Sequence, residues 1–345
     1  MNKNSYKVKE IKWLMDKAGR LDWAANPDGL IAFDSRGSDG FYDVFVATPD
    51  GSYRTCLTCN KADKIPQKHN GNPAWHPSGR FIVFQSENLN HIGSSDAATP
   101  GAGIFCDLWL MSSDGKKFFR LTEIESDTGQ ASLHPHFSHD GSTLFWTERV
   151  GGASPPGTIG EWALKIADFS LQEEPHVSKI RTLQPGTRKM WHESHGFSPD
   201  NNKILFSGDL EENCQFDGMD LYSLDLKMNN LINLTSNRKT WDEHGHFSPD
   251  GEKIVWISSR DNPRGSLPGV QYMRWLATDL WIMNSDGSDK RKLTHFNETN
   301  HPEYVNGRAI VADGDWSKDG NMYAVLVNIL KPGSWEEWIA VVEFK

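Results

Sequence analysis

No stretch of eighteen apolar residues occurs in this sequence, so no segment reads as a membrane-crossing helix. The opening MNKNSYKVKEIKWLM has neither an apolar signal core nor a small-residue cleavage site, which makes a cytoplasmic protein the expectation. Basic runs are missing too, and the formal net charge is −10; nucleic acid and anionic membrane are poor candidates as partners. Cysteine is scarce: Cys56, Cys59, Cys106 and Cys214 are the whole complement. Cys56 and Cys59 form one CxxC, and a structural zinc site usually needs a second pair. Reduced, packed thiols are therefore expected, with the role of the pair left open. Helical periodicity is not sustained anywhere, and neither a GxSxG nor a phosphate-binding loop is present.

What the sequence does have is a repeated phrase. It runs aromatic, Ser or His, a variable residue, Asp or Ser, Gly, and then a short apolar strand. The copies are anchored on Trp75, Phe137, Phe197, Phe247 and Trp316, with a degenerate first copy at Trp23. Successive anchors lie 52, 62, 60, 50 and 69 residues apart, room for four short strands and variable loops in each unit. The apolar strand (FIVF at 81–84, KIVW at 253–256) is followed by an Asp-Leu-Trp-type strand. An Asp-Gly turn then leads to a fourth strand ending in Leu-Thr. Period-two alternation throughout points to an all-β, six-bladed β-propeller of four-stranded blades, one domain spanning 1–345. The sixth unit lacks a fourth strand after EWIAVVEF. The alternating YKVKEIKWL at the N-terminus is expected to supply it and close the ring, removing exposed sheet edges. Fourteen tryptophans suit packing between such blades, with a few left to stack on flat ligands.

The approach to the anchors carries the chemistry. His134 and His136 stand three and one residues before Phe137, and His244 and His246 take the same places before Phe247. On a regular strand, residues two apart face the same way, so each pair is expected to point together into the central channel. His195 stands two residues before Phe197, where a bulge or Gly196 would be needed to turn it inward. The corresponding places elsewhere hold Asn72 and Ala74, and Asp313 and Asp315. Imidazoles and carboxylates in this pattern suit a divalent ion, Mn foremost, with Zn, Ni or Fe as alternatives. Glu193 and Glu243 recur in Trp-His-Glu and Trp-Asp-Glu and suit partners that orient the rings. Long inserts follow the second strands, beside Arg36, Glu87, Glu148, Arg149, Asp209 and Arg260, and would build a binding face at one end. Arg260, Tyr272 and Arg274 are the catalytic candidates, to pair a substrate carboxylate and move a proton.

The phrase aromatic-Ser-Pro-Asp-Gly, with Asp-Leu-Trp and Arg-x-Leu-Thr following, resembles the PD40 or TolB-type WD40-like propeller repeat over nearly the whole chain. That resemblance implies the fold and leaves function open. A narrower one covers Gln130 to Gly141, where His134-Pro135-His136 looks like the corresponding segment of oligogalacturonate lyases. It implies a manganese site made by a Gln, both histidines and a His of another blade. Gln130 is the candidate, although it sits one residue further upstream than in that family. The function expected is a metal-dependent lyase acting on a uronic-acid oligosaccharide. The alternative is a non-catalytic propeller that binds a protein or glycan.

Overall fold

A computed structural model describes residues 6–25, 29–124, 129–151, 160–172, 174–210, 218–237, 239–262 and 275–345. It contains six four-stranded antiparallel sheets, each the blade of a propeller. The inner strands are Leu21–Trp23, Asn70–Trp75, Ala131–Phe137, His192–Phe197, Asp242–Phe247 and Arg308–Trp316, so the six anchors each end an inner strand. In the sixth sheet the fourth place is filled by Val8–Asp16, paired antiparallel with Ser334–Phe344 in a register that sets Ile11 against Val342. The two ends of the described chain thus share one sheet, as the alternating N-terminal segment leads one to expect.

The repeated phrase is spelled by turn chemistry. After the last four anchors a serine hydroxyl donates to the Asp two residues on, at 2.6 Å in Ser138–Asp140, Ser198–Asp200 and Ser248–Asp250 and 2.7 Å in Ser317–Asp319. Each Asp takes N–H groups further round the turn, and the chain reverses into the second strand. A second device joins the third and fourth strands. The threonine of Leu-Thr donates its hydroxyl to the aspartate that opens the third strand, at 2.7 Å in Thr58–Asp43 and Thr235–Asp220 and 3.1 Å in Thr294–Asp279. The same hydroxyl oxygen accepts a backbone N–H from Val44, Leu221 or Leu280. Between blades the packing is aromatic: Trp146, Trp162, Trp256, Phe33, Phe84, Phe145 and Phe206 are fully buried.

Candidate metal centre

The inner strands share an irregularity that the sequence does not announce. In the third blade Leu133 pairs with Thr147 and His136 with Phe145, so two residues oppose one. The fifth blade repeats this between Glu243 and His246, the second between Gly71 and Ala74, and the sixth between Val311 and Gly314. Each is a β-bulge. Asn72, His134 and His244, the first of the extra pair in their blades, take the left-handed φ of 49–50°. The extra residue breaks the two-residue alternation, so the expectation that His134 and His136 point together is not met. His134 and His244 line a pocket of about 510 Å³ at the beginning of the inner strands; His136 and His246 line one of about 120 Å³ at their far end. In the fourth blade the unpaired residue is His195 itself, between Ser194 and Gly196, and the bulge turns it toward the channel.

Counted back from the anchors, two tiers of side chains follow. Three residues before stand Arg20, Asn72, His134, Ser194, His244 and Asp313; one residue before stand Asp22, Ala74, His136, Gly196, His246 and Asp315. In the first tier the ligand-type atoms of His134, His244 and Asp313 lie within 4.8 Å of one another, all buried. Asp313 Oδ1 is 3.1 Å from His244 Nδ1 and 3.4 Å from His134 Nδ1. Ligand atoms about 2.1 Å from a common ion stand about 3–3.5 Å apart, so the spacing fits a divalent cation. The other ring nitrogens meet carboxylates: His134 Nε2 is 3.1 Å from Glu193 Oε1, and His244 Nε2 is 3.5 Å from Glu243 Oε2. Those glutamates are fixed in turn by the indoles two residues earlier, Trp191 Nε1 donating to Glu193 at 3.1 Å and Trp241 Nε1 to Glu243 at 2.7 Å. Carboxylate-to-imidazole contacts of this kind set the tautomer and aim of metal-binding histidines. His244 Nδ1 is buried and faces the Asp313 carboxylate, the side on which a shared cation would sit. An overlapping group, Glu193, His195 and His244, is compact by the same measure.

Electrostatics agree with a site for positive charge. Burial alone would raise Asp313, yet His244, Arg20 and His134 hold it well below the usual carboxylate range. Burial alone would depress His244, yet Asp313 and Glu243 outweigh it and the imidazole is raised. His134 is lowered, burial exceeding its attraction to Asp313. Burial and the neighbouring Glu243 push Glu193 well up. One competitor is present: Arg20 Nε lies 3.0 Å from Asp313 Oδ2, so one carboxylate oxygen is engaged and Oδ1 faces the histidines.

Around this centre the larger pocket gathers Arg20, Asp34, Arg36, Tyr42, Trp335 and Glu337, with Asp96 and Thr99–Ala102 of the insert after the second strand of blade 2. Asp34 is enclosed. Its oxygens accept N–H groups from Arg20 at 3.1 Å and Asn72 at 2.8 Å, and burial raises its carboxyl to about 7. Gly19 and Gly71 leave room for it; a Cβ at Gly19 would come within 2.0 Å of Asp34 Oδ1.

Of the remaining predicted residues, His195 shares a metal-sized group with Glu193 and His244, while the others that the structure describes lie elsewhere. Gln130 precedes the third inner strand, its carbonyl accepting the Phe105 N–H, and it lines neither pocket. His195 Nε2 is 2.7 Å from Ser207 Oγ and accepts the His244 backbone N–H at 3.2 Å. Burial and the other histidines push His195 and His136 well below the ordinary imidazole value, and His246 to about 4. Arg260 lies over the Trp281 ring at 5.7 Å and donates to the Thr235 carbonyl, outside the pocket lining. Tyr272 and Arg274 fall outside the described residues. The expectation of reduced thiols also changes, because Cys56 and Cys59 are joined as a disulfide; both sit in one tight turn, which brings the sulfurs together. Sequence reasoning passed over Arg20, Asp34 and Tyr42, and named Asp313 without assigning it a role. Counting back from the degenerate first anchor would have put Arg20 in the tier of His134, His244 and Asp313.

No family model matches the chain, and no curated protein matches it by sequence. Solved structures do resemble it. A putative TolB from Agrobacterium tumefaciens gives a TM-score of 0.58 at 15% identity, covering 96% of this chain and 91% of that one. TolB from Acinetobacter baumannii gives 0.55 at 17% identity over 92% of this chain; this chain spans only 65% of that protein's length. An oligogalacturonate lyase in complex with manganese gives 0.53 at 10% identity, covering 99% and 96%. The fold is that of these propellers. At such identities the likeness carries the architecture and not the activity.

Proposed function

We propose that this propeller is a metal-dependent enzyme acting on an acidic carbohydrate, by β-elimination beside a uronate carboxylate. The observation that carries the reading is the convergence of His134, His244 and Asp313 from three blades, the two histidines lining a pocket together with two arginines. These three residues would hold the ion, which when bound would supply positive charge to stabilise an anion forming on the substrate. Arg36 is exposed at the pocket and offers a planar fork for a carboxylate, and Trp335, about half exposed, offers a face for a sugar ring. Asp34 lines the same space with a carboxyl raised to about 7, suited to taking up a proton near neutral pH. Glu193 and Glu243 hold the two imidazoles in place. The manganese-bound lyase of the same fold is consistent with this reading.

The test is to load the protein with Mn²⁺, supply oligogalacturonates and other uronate oligosaccharides, and follow the unsaturated product by its ultraviolet absorbance. Turnover lost in His134→Gly and His244→Gly is expected. No unsaturated product from any uronate substrate, with metal bound at one per chain, would remove the lyase assignment. A second reading, a binding propeller without catalysis, is favoured by the Arg20–Asp313 pair, which balances the buried carboxylate without an ion. Protein that retains no divalent metal by elemental analysis would favour it.

A further inference from the structure

Among the described residues the clasp between third and fourth strands is built four times, Thr122 donating to Asp107 Oδ1 at 3.3 Å in the second blade, and in the first blade it is built differently. In the second blade the free oxygen of the clasp aspartate, Asp107 Oδ2, receives Arg120 at 2.8 Å. In the fifth, Asp279 Oδ2 receives the Lys292 ammonium at 3.2 Å; in the fourth, Asp220 Oδ2 receives the Asn233 amide at 2.9 Å. Arg120, Asn233 and Lys292 occupy one repeat position, two residues before the clasp threonine. In the first blade that position is Cys56, and the residue after the threonine is Cys59. Asp43 is set like the others, with Thr58 donating to Oδ1 at 2.7 Å, but its Oδ2 faces Cys59 Sγ at 3.4 Å. Where two sister blades place a cationic side chain, this one places two sulfurs beside a carboxylate.

We propose that Cys56, Cys59 and Asp43, once the disulfide is reduced, bind a thiophilic divalent cation that takes the place of the missing Arg or Lys. The ligand-type atoms of the three residues lie within 4.8 Å of one another, and all three are half-buried, within reach of solvent and reductant. The Cα atoms are 5.8 Å apart. Two thiolates bound to one zinc-like ion at about 2.3 Å stand about 3.8 Å apart, a separation reached by side-chain rotation alone. The Cys59 N–H points at Cys56 Sγ at 3.0 Å, a donor that stabilises thiolate charge. Three protein ligands leave a fourth position for water. The chemistry balances with a small thiol as reductant: two thiols become one disulfide, the protein S–S bond becomes two S–H groups, and the incoming cation displaces both protons. The turn is therefore either oxidised and metal-free or reduced and metal-bound. Leu57 stays buried between the two cysteines in the core shared by blades 1 and 2.

Cd²⁺ is the probe, because thiolate-to-cadmium absorption in the ultraviolet separates this turn from the histidine centre. Intact protein is titrated oxidised, and again after reduction and anaerobic removal of the reductant. Reduced protein is expected to bind one Cd²⁺ more per chain, with thiolate absorption. That increment should vanish in Cys56→Ser and in Cys59→Ser, while Asp43→Asn should keep the absorption and weaken binding about tenfold or more. Equal uptake in the two redox states overturns the proposal, as does absorption that survives Cys56→Ser. Unchanged affinity in Asp43→Asn removes the carboxylate and overturns the three-ligand site. The oxidised-against-reduced comparison uses the unaltered chain, so it stands even where a variant folds poorly.

Discussion

Adding Mn²⁺ to metal-stripped protein, without reductant, should raise its melting temperature through the His134–His244–Asp313 centre. A ligand bound only by the folded state stabilises by about 2.7 kcal/mol when its free concentration is a hundred times its Kd. Unfolding entropy near the transition is about 2.1 cal/mol/K per residue, or about 0.7 kcal/mol/K for 345 residues. The expected rise is thus about 4 °C at a hundredfold excess over Kd, growing by about 2 °C for each further decade. His134 and His244 both sit at left-handed φ, so glycine is the substitution that removes the ligand without adding backbone strain. His244→Gly and His134→Gly should each abolish most of the Mn²⁺-dependent rise, whatever they do to the baseline. Asp313→Asn should do so as well, and it also releases Arg20. Differential scanning fluorimetry over a range of Mn²⁺ concentrations, with Ca²⁺ as a control for ionic strength, measures this directly. A wild-type shift that persists in full in His244→Gly and His134→Gly refutes the assigned ligands. No shift at millimolar Mn²⁺ refutes the site.

Thr294→Val should cost about 1–3 kcal/mol in urea unfolding, because the Asp279 carboxylate and the Leu280 N–H both lose a buried partner. Trp256→Ala should cost about 3–5 kcal/mol by the same assay, since the ring is fully buried and its Nε1 donates to Asp242 at 2.8 Å. Asp34 has a carboxyl raised from 3.8 to about 7, so the folded state holds its proton more tightly than the unfolded state does. Its contribution is fully present below pH 3.8 and lost as pH rises through 7, a span corresponding to about 4 kcal/mol. Asp34→Asn should flatten stability against pH in that window; a profile as steep as wild type would show that Asp34 titrates normally.

Most of the architecture is legible in the sequence because two side-chain devices recur, each in four of the six blades. The Ser–Asp turn and the Asp–Thr clasp are short-range hydrogen bonds with fixed spacing, and they leave a readable trace at each copy. Closure by the N-terminal strand follows from counting strands, since a sheet edge needs a partner. The histidines were legible as a group but not as a geometry. A bulge inserts one residue without a sequence mark of its own, and this one separates His134 from His136 and recruits His195. Arg20 escaped notice because its anchor phrase, Trp23 to Gly29, is stretched by two residues and the tier was not counted through it. Arg260 shows the opposite error: an Arg beside an insert reads as a ligand for substrate, yet its guanidinium rests on Trp281.

The pairing of Val8–Asp16 with Ser334–Phe344 makes synthesis itself a timing problem. Val8–Asp16 is made more than 300 residues before its partner strand, and at about 5–20 residues per second that is roughly 15–70 s on the ribosome. During that interval the first five blades can form, while Val8–Asp16, nearly half of it charged, stays without its partner strand. Closing the sixth sheet joins segments more than 300 residues apart, a long-range pairing of the kind that forms slowly, and disrupting Ser334–Phe344 would leave Val8–Asp16 without its partner.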